Sequence, residues 1–470
     1  MRRLSRSAAT CLYLTLAAGA ALARTWYVAP GGADSAPGTI GQPFATIQRG
    51  IDAAGPGDTV SIGAGRYGIS QPIRIAGKRA TAAQPLTIAG KGMPTFFGTD
   101  ARVPGIWHGM VEIVGSSHVI VQELAVEDSG FFGFMVQRSD NIALIGNRST
   151  VSLASGIWVS DSTVVRVEDN DVSRFCDRSQ FGADGRTGCQ EGISLAAVDG
   201  FTVARNRVHD APQTPEVKPG GGEGIDIKAG SRNGVVEGNS VWNLAQLGIY
   251  VDAYARDSGN IKVRANRVWN CYMGIVISSE QGGRVSDVDV SDNLIHDVGY
   301  HGILVSDFKK GKGGDGPRER IRIYNNTIVD AGVKEAKPPY CKMWTNPCPD
   351  AGVGIRVDTA NIIGLDIHDN IILGSKTAPM VINPAIQGAS VIRRNLVWPP
   401  GRGSLTGEHF GNEAIVADPS LVDPARGDYR LRPGSPAIGA GVGGAPLGRD
   451  NKGVMRPAGP IDVGAFTFVR

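Results

Sequence analysis

The stretch GGGEGIDIKAG, Gly220–Gly230, places Glu223, Asp226 and Lys228 within six residues of a segment whose isoleucines alternate like those of a strand. These residue types do acid–base and electrostatic chemistry: a carboxyl donates a proton or ligates a hard cation, and a lysine acts as base or counter-charge. A second segment, GIYVDAYA at Gly248–Ala255, adds Asp252, Tyr250 and Tyr254. Both open on Gly-Ile, and whether their charged residues meet depends on how such segments stack.

Gly-Ile recurs at Gly156, Gly192, Gly224, Gly248, Gly274 and Gly302, continues as GIRVDT at Gly354, and has a degenerate earlier copy, GFMVQR, at Gly133. Each copy is followed by a second alternating run that ends on an asparagine: Asn170, Asn206, Asn239, Asn266, Asn293, Asn326, Asn370 and Asn395. Apolar residues at every second position, Ile157 with Val159, Ile225 with Ile227, Ile249 with Val251, Ile303 with Val305, predict strands buried on one face. A unit this short cannot bury its apolar face alone, whereas a stack of units can. The chain therefore reads as all-β, a right-handed parallel β-helix, with the asparagines laddered at one corner. Uneven spacing predicts loop insertions near 176–189, 211–222, 308–319 and 331–351. PFATIQRGIDAA, behind Pro43, puts Phe44, Ile47, Ile51 and Ala54 at helical spacing and predicts a short capping helix over the first coil. The domain plan is a signal peptide over 1–23, an N-terminal cap and first coil over 24–75, coils with insertions over 76–400, and a C-terminal capping segment over 401–470.

Adjacent parallel strands lie about 4.8 Å apart and residues rise about 3.3 Å each, so in-register stacking puts Lys228 beside Asp252 and Asp226 about 8 Å from it, backbone to backbone. Glu223 shares a corner column with Glu191 on the preceding coil. The candidate catalytic residues are Lys228, Asp226 and Asp252, and the candidate substrate contacts are Tyr250, Tyr254, Tyr272 and His209. Glu223, Asp226 and Asp252 are candidate ligands for Ca²⁺, since oxygen-only donors suit calcium. Three functions use this set. A lyase cleaving a uronate polysaccharide by β-elimination needs a base, Lys228, and a cation, calcium, to stabilise the enolate. Carboxylates beside Lys228 favour its charged form, so a lysine base implies that calcium engages them. A glycoside hydrolase would instead pair Asp226 with Asp252. In a non-catalytic carbohydrate-binding or adhesion protein the cluster is a polar surface with a Lys228–Asp252 cross-strand ion pair.

Trp26–Tyr67, WYVAPGGADSAPGTIGQPFATIQRGIDAAGPGDTVSIGAGRY, resembles the opening of secreted bacterial β-helix proteins that include pectate lyases of polysaccharide lyase family 9. DPSLVDPARGDYRLRPGSPAIGAG with IDVGAF is similar to the closing segment of the same group. The resemblance covers nearly all of the chain after residue 23 and implies an exported, polysaccharide-degrading β-helix. GEGIDIKAG is similar to that family's acidic-Gly-x-x-x-Lys coil, which carries roles only onto Glu223 and Lys228. On the next coil the family's paired aspartates, and another after the glycine, are replaced by Gln246, Leu247 and Tyr250.

The chain opens with Arg2, Arg3 and Arg6 before the apolar CLYLTLAAGAALA, which predicts a cleaved leader and a secreted or periplasmic protein. Those three arginines account for the whole net charge of +3. The remainder carries no basic stripe for nucleic acid and no run of about 20 apolar residues for a membrane span. The expected partner is an acidic polysaccharide, and the expected state is a monomer. An oxidising compartment would close Cys176 with Cys189 and Cys341 with Cys348, leaving Cys271 buried. His209, Trp242, Trp269 and His296 fall at one position after their asparagines and predict a stacked column, whose rings could also take a sugar. FKKGKGGDGPRER, Phe308–Arg320, reads as a basic, solvated loop that could steer an acidic polymer.

Overall fold

The computed structural model describes residues 22–100, 103–176, 189–211, 221–308, 313–333, 352–398, 411–442, 448–457 and 459–469. Three ladders of parallel strands run the length of one 34-stranded sheet that coils on itself. In the first ladder the Gly-Ile strands stack in register, Ile157, Ile193, Ile225, Ile249, Ile275, Ile303 and Ile355 being partners in turn. The second stacks Val165, Phe201, Gly234, Ile261, Val288 and Ile321. The third stacks Val172, Val208, Val241, Val268, Ile295, Ile328 and Ile372. Inward Ile, Val and Leu from all three sides form one continuous apolar core, so the predicted all-β parallel β-helix is the architecture observed.

Two corners fix the register. At the Gly-Ile corner a Cβ on Gly192, Gly224 or Gly248 would lie 2.7, 2.5 or 2.8 Å from the carbonyl oxygen of the next coil's glycine, so only glycine lets the coils approach. At the other corner the buried asparagines form a ladder. Asn239 donates from Nδ2 to Asn266 Oδ1 and to the Val203 carbonyl, while its Oδ1 accepts from the backbone and side-chain amides of Asn206. The pattern repeats from Asn147, one coil earlier than the sequence suggested, to Asn395. The residue before each ladder asparagine turns the chain in left-handed conformation, for example Asp169, Ala265, Asp292 and Asp369; Asp and Asn tolerate this best among residues with a side chain.

The N-terminal helix is Ile47–Ala53, with Thr46 Oγ1 accepting from Arg49 N–H and Ile47, Gly50 and Ile51 turned into the core. The C-terminal segment adds a strand to the last described coil, Ile415 and Val416 pairing with Leu396 and Val397, and then turns back. Leu421, Tyr429, Leu431, Val463 and Phe466 pack on Leu294, Val329, Ile371 and Leu396, outward residues of four successive coils, so the segment runs back along the flank of the third ladder. Asn451 donates to the carbonyls of Asn266 and Asp292, and the Arg456 guanidinium pairs with Asp292 at 2.7 Å in a buried setting. Of the basic stretch Phe308–Arg320, residues 309–312 lie outside the described residues. Arg318 is fully buried, bonded to Asp315 and to the Ser306 and Gly316 carbonyls, because its backbone has joined the second ladder. Cys176 and Cys189 form the expected disulfide, whereas Cys341, Cys348 and the leader segment 1–21 lie outside the described residues.

Replacing a ladder asparagine orphans buried amides on two coils. Asn239→Ala is expected to lower unfolding free energy by about 2–3 kcal/mol, against a few tenths for Lys262→Ala on the exposed surface. Denaturant titration of both variants checks this.

Candidate active site

The first ladder presents its outward residues as a column: Met135, Trp158, Ser194, Asp226, Tyr250, Val276, Leu304 and Arg356. Lys228 stands opposite Asp252 as register required, yet it pairs elsewhere. Its ammonium lies 3.1 Å from Asp226 Oδ2 and bonds directly to Glu191 Oε1 on the coil before. Asp252 Oδ1 instead accepts the backbone N–H groups of Tyr254, 2.9 Å, and Glu280, 3.2 Å. The expected Lys228–Asp252 cross-strand pair is therefore replaced by a Lys228–Glu191–Asp226 group, because a long lysine reaches diagonally to the corner where Glu191 sits.

Burial decides the protonation of this group. Glu191 and Asp226 are both buried, and Lys228 is the part that reaches outward, its side chain 20 % exposed. Burial alone would strip the charge from Lys228, but Glu191 and Asp226 overcome it and hold the ammonium well above its ordinary pKa. Burial pushes Glu191 up, and the adjacent Lys228 charge more than reverses this, keeping its carboxylate ionised. For Asp226, burial together with the negative field of Glu191, Glu223 and Asp252 outweighs Lys228 and raises the carboxyl well above its usual range. The result is an ammonium held charged between two carboxyls whose acidities are pushed apart, Glu191 downward and Asp226 upward. Lys228 is not poised as a base in this state.

The aromatic candidates separate. Tyr250 is brought to the cluster: it is buried, its hydroxyl donates to Glu280 Oε1 at 2.6 Å, and burial with Asp252 and Glu280 nearby raises its pKa. Tyr254 sits at the exposed edge beside Asp252. Tyr272 stacks on Tyr300 at 5.2 Å inside an apolar cluster with Tyr250, Met273, Val276 and Leu304. His209 lies on the third ladder, opposite Trp242 rather than near Tyr250 on the same long strand, so it does not border the cluster. There it opens the predicted column: His209, Trp242, Trp269 and His296 stack at 4.1, 4.9 and 5.8 Å with ring planes within 6°, and Tyr429 closes the far end at 4.9 Å. Ring faces turned on one another leave edges to solvent, which removes the column as a sugar platform.

Glu191 and Glu280 were not among the candidates. Glu191 shares the corner column with Glu223, a signal that the sequence contained; Glu280 follows the end of its strand, in a turn that no repeat position marks. Among the described residues no group of three or more His, Cys, Asp or Glu side chains is arranged to hold a metal ion, and the space between Glu191 and Asp226 is filled by the Lys228 ammonium.

Comparison with known proteins follows from this geometry. The family described as "Right handed beta helix region" matches residues 95–252 and 186–328. The fold is a pectate-lyase-like, right-handed parallel β-helix. This β-helix is similar to pectate lyase Pel9A at 14 % identity and a TM-score of 0.54, with 96 % of this chain and 98 % of that one covered. It is also similar to XylC, solved with xylose, at 10 % identity and 0.57, covering 95 % and 98 %. A third similar structure is an endo-xylogalacturonan hydrolase from Aspergillus tubingensis, at 11 % and 0.52, covering 84 % and 99 %. No curated protein matches the β-helix chain in sequence. None of the helices among the described residues is long and apolar enough to cross a membrane.

Lys228→Met leaves Glu191 charged and buried without a partner, and is expected to cost about 3–5 kcal/mol at neutral pH, less as acid protonates Glu191. Asp226→Asn, which replaces a protonated carboxyl, is expected to cost clearly less; urea titration of both from pH 4 to 8 tests the assignment. The His209 imidazole bonds Asp171 at 2.9 Å and Asp210 at 2.7 Å, and although burial lowers its pKa these carboxylates raise it overall. Its stabilising effect is complete below the unfolded value of about 6.5 and lost as pH rises through the higher folded value. His209→Gln should therefore narrow the stability gap between pH 5.5 and pH 8.5 relative to wild type.

Proposed function

We propose that the protein is an exported, monomeric enzyme that cleaves a uronate-containing polysaccharide by β-elimination, with Lys228 in a different role from that expected of a base. One observation carries the reading: a largely buried ammonium that bonds Glu191 and lies 3.1 Å from Asp226, which holds Glu191 below its ordinary pKa, while burial and the surrounding carboxylates push Asp226 above its own. Elimination next to a carboxylate needs a cation to neutralise that group, a base for the adjacent carbon proton, and an acid for the leaving oxygen. Lys228 supplies the cation directly, so no metal is required. Glu191 is the base: Lys228 does most to keep its carboxylate weakly basic against the push of burial, with the Ser194 hydroxyl adding to it, so a substrate carboxylate that engages Lys228 raises Glu191 basicity when the proton must move. Asp226 already holds the proton that the departing oxygen needs. Proton removal forms the enolate, and its collapse breaks the C–O bond to a double bond and a free hydroxyl.

Hydrolysis is the second reading, favoured by the spread in acidity between the two carboxyls, which is the mark of an acid–base pair. The pair is then Asp226 with Glu191 rather than Asp226 with Asp252. Both bond one ammonium nitrogen, so their nearest oxygens lie within roughly 6 Å, close to the shorter glycosidase spacing. Lys228 would orient the substrate.

Incubation with pectate, alginate and glycosaminoglycans should raise ultraviolet absorbance from an unsaturated uronate, and EDTA should leave the rate unchanged. New reducing ends without that absorbance would mean hydrolysis. Asp226→Asn and Glu191→Gln should each lower kcat by about 10²–10⁴-fold, while Lys228→Ala should raise KM as well. An EDTA-sensitive rate would overturn the metal-free role of Lys228.

A further inference from the structure

On the N-terminal side of the charged group the same face turns aromatic. Trp158 stands next to Ser194 and two coils before Asp226 in the outward column. Phe132 lies flat against it at 5.0 Å and 5°, and Phe131 meets Phe132 at 4.6 Å. Above them sits Trp107, 56 % exposed beside the exposed Ile106. Its ring meets Phe131 and Phe132 at 57° and 62°, so neither lies flat against it. Its backbone is left-handed, φ +65°, a conformation that a bulky residue adopts only where the surroundings impose it. Polar groups rim the patch: exposed His108 bonds buried Glu112 at 2.6 Å, with Arg74 at 3.4 Å.

An exposed, rigidly held indole beside hydrogen-bonding groups matches the chemistry of a pyranose, which has an apolar C–H face and hydroxyls at its edge. Coils about 4.8 Å apart advance by about one sugar unit each, so a chain lying along the column passes from Lys228 to this patch within a few units. Resting on the proposed cleavage of a uronate polymer, we infer that Trp107, backed by Phe131, Phe132 and Trp158, is a sugar-stacking subsite. It holds the part of the polysaccharide that extends toward the N-terminal coils from Lys228. The enzyme therefore grips several units at once and prefers long chains to short ones.

The test uses the full chain with Asp226→Asn, so that bound polymer is not consumed, and titrates uronate oligomers of two to eight units by calorimetry. Without the Trp107 substitution, affinity should rise with length until the subsite is filled. Adding Trp107→Ala should weaken the long oligomers roughly tenfold and leave the dimer unchanged, with Trp107→Phe restoring most of the loss. Equal binding of long oligomers with and without Trp107 overturns the subsite while leaving the cleavage reading intact. No binding of any length, together with no cleavage by the unsubstituted protein, overturns both. Self-association that is concentration-dependent and abolished by Trp107→Ala would assign the patch to a second copy of the chain and overturn the subsite.

Discussion

The distance between one coil and the next at the Gly-Ile corner governs the molecule. A side chain there would collide with the following coil's backbone, so glycine permits the close approach, and the asparagine ladder at the opposite corner fixes which residue meets which. Side chains alternate along a strand, so a slip of one residue would turn every outward group inward. Register is thus set by backbone contacts at the corner where Glu191 and Glu223 also sit, and by buried amides at another. Because that scaffold is uniform, the outward positions are free to vary from coil to coil, and the column runs from aromatic through charged to apolar.

The charged stretch is arranged around exclusion of water. In solvent, Lys228 and its neighbours would be an ordinary surface ion pair of little consequence. Here two buried carboxyls close to one ammonium cannot both be ionised at low cost, so their acidities separate, Glu191 downward and Asp226 upward. The difference comes from position alone, since both are simple carboxylic acids. Any anion that draws Lys228 outward disturbs both.

Periodicity made the fold legible. The spacing of Ile225, Ile227, Ile249 and Val251 gave strands, register and the inward face, and the recurrent asparagines gave the ladder, because each depends on contacts between like positions of neighbouring repeats. Asp226, Lys228 and Asp252 were found because they break that repetition. Their partners were less legible. Lys228 reaches back across the corner to Glu191, a diagonal that a row-by-row reading does not follow, and Glu280 enters from a turn with no place in the repeat. His209 was drawn toward the site by type and sequence proximity, although a coil carries nearby residues onto different faces. The return of the C-terminal segment along the flank rests on contacts more than a hundred residues apart, which no local pattern encodes.

That returning segment changes how the solenoid behaves as a material. A stack whose members touch only their neighbours unravels from its last member, one unit at a time. Here Asn451 grips the backbone at Asn266 and Asp292, and Phe466 and its neighbours span the coils from Leu294 to Leu396. The final residues of the chain work as a clasp over its later half, so the last coil cannot peel away unless the clasp opens first, and a graded fraying becomes an all-or-none event.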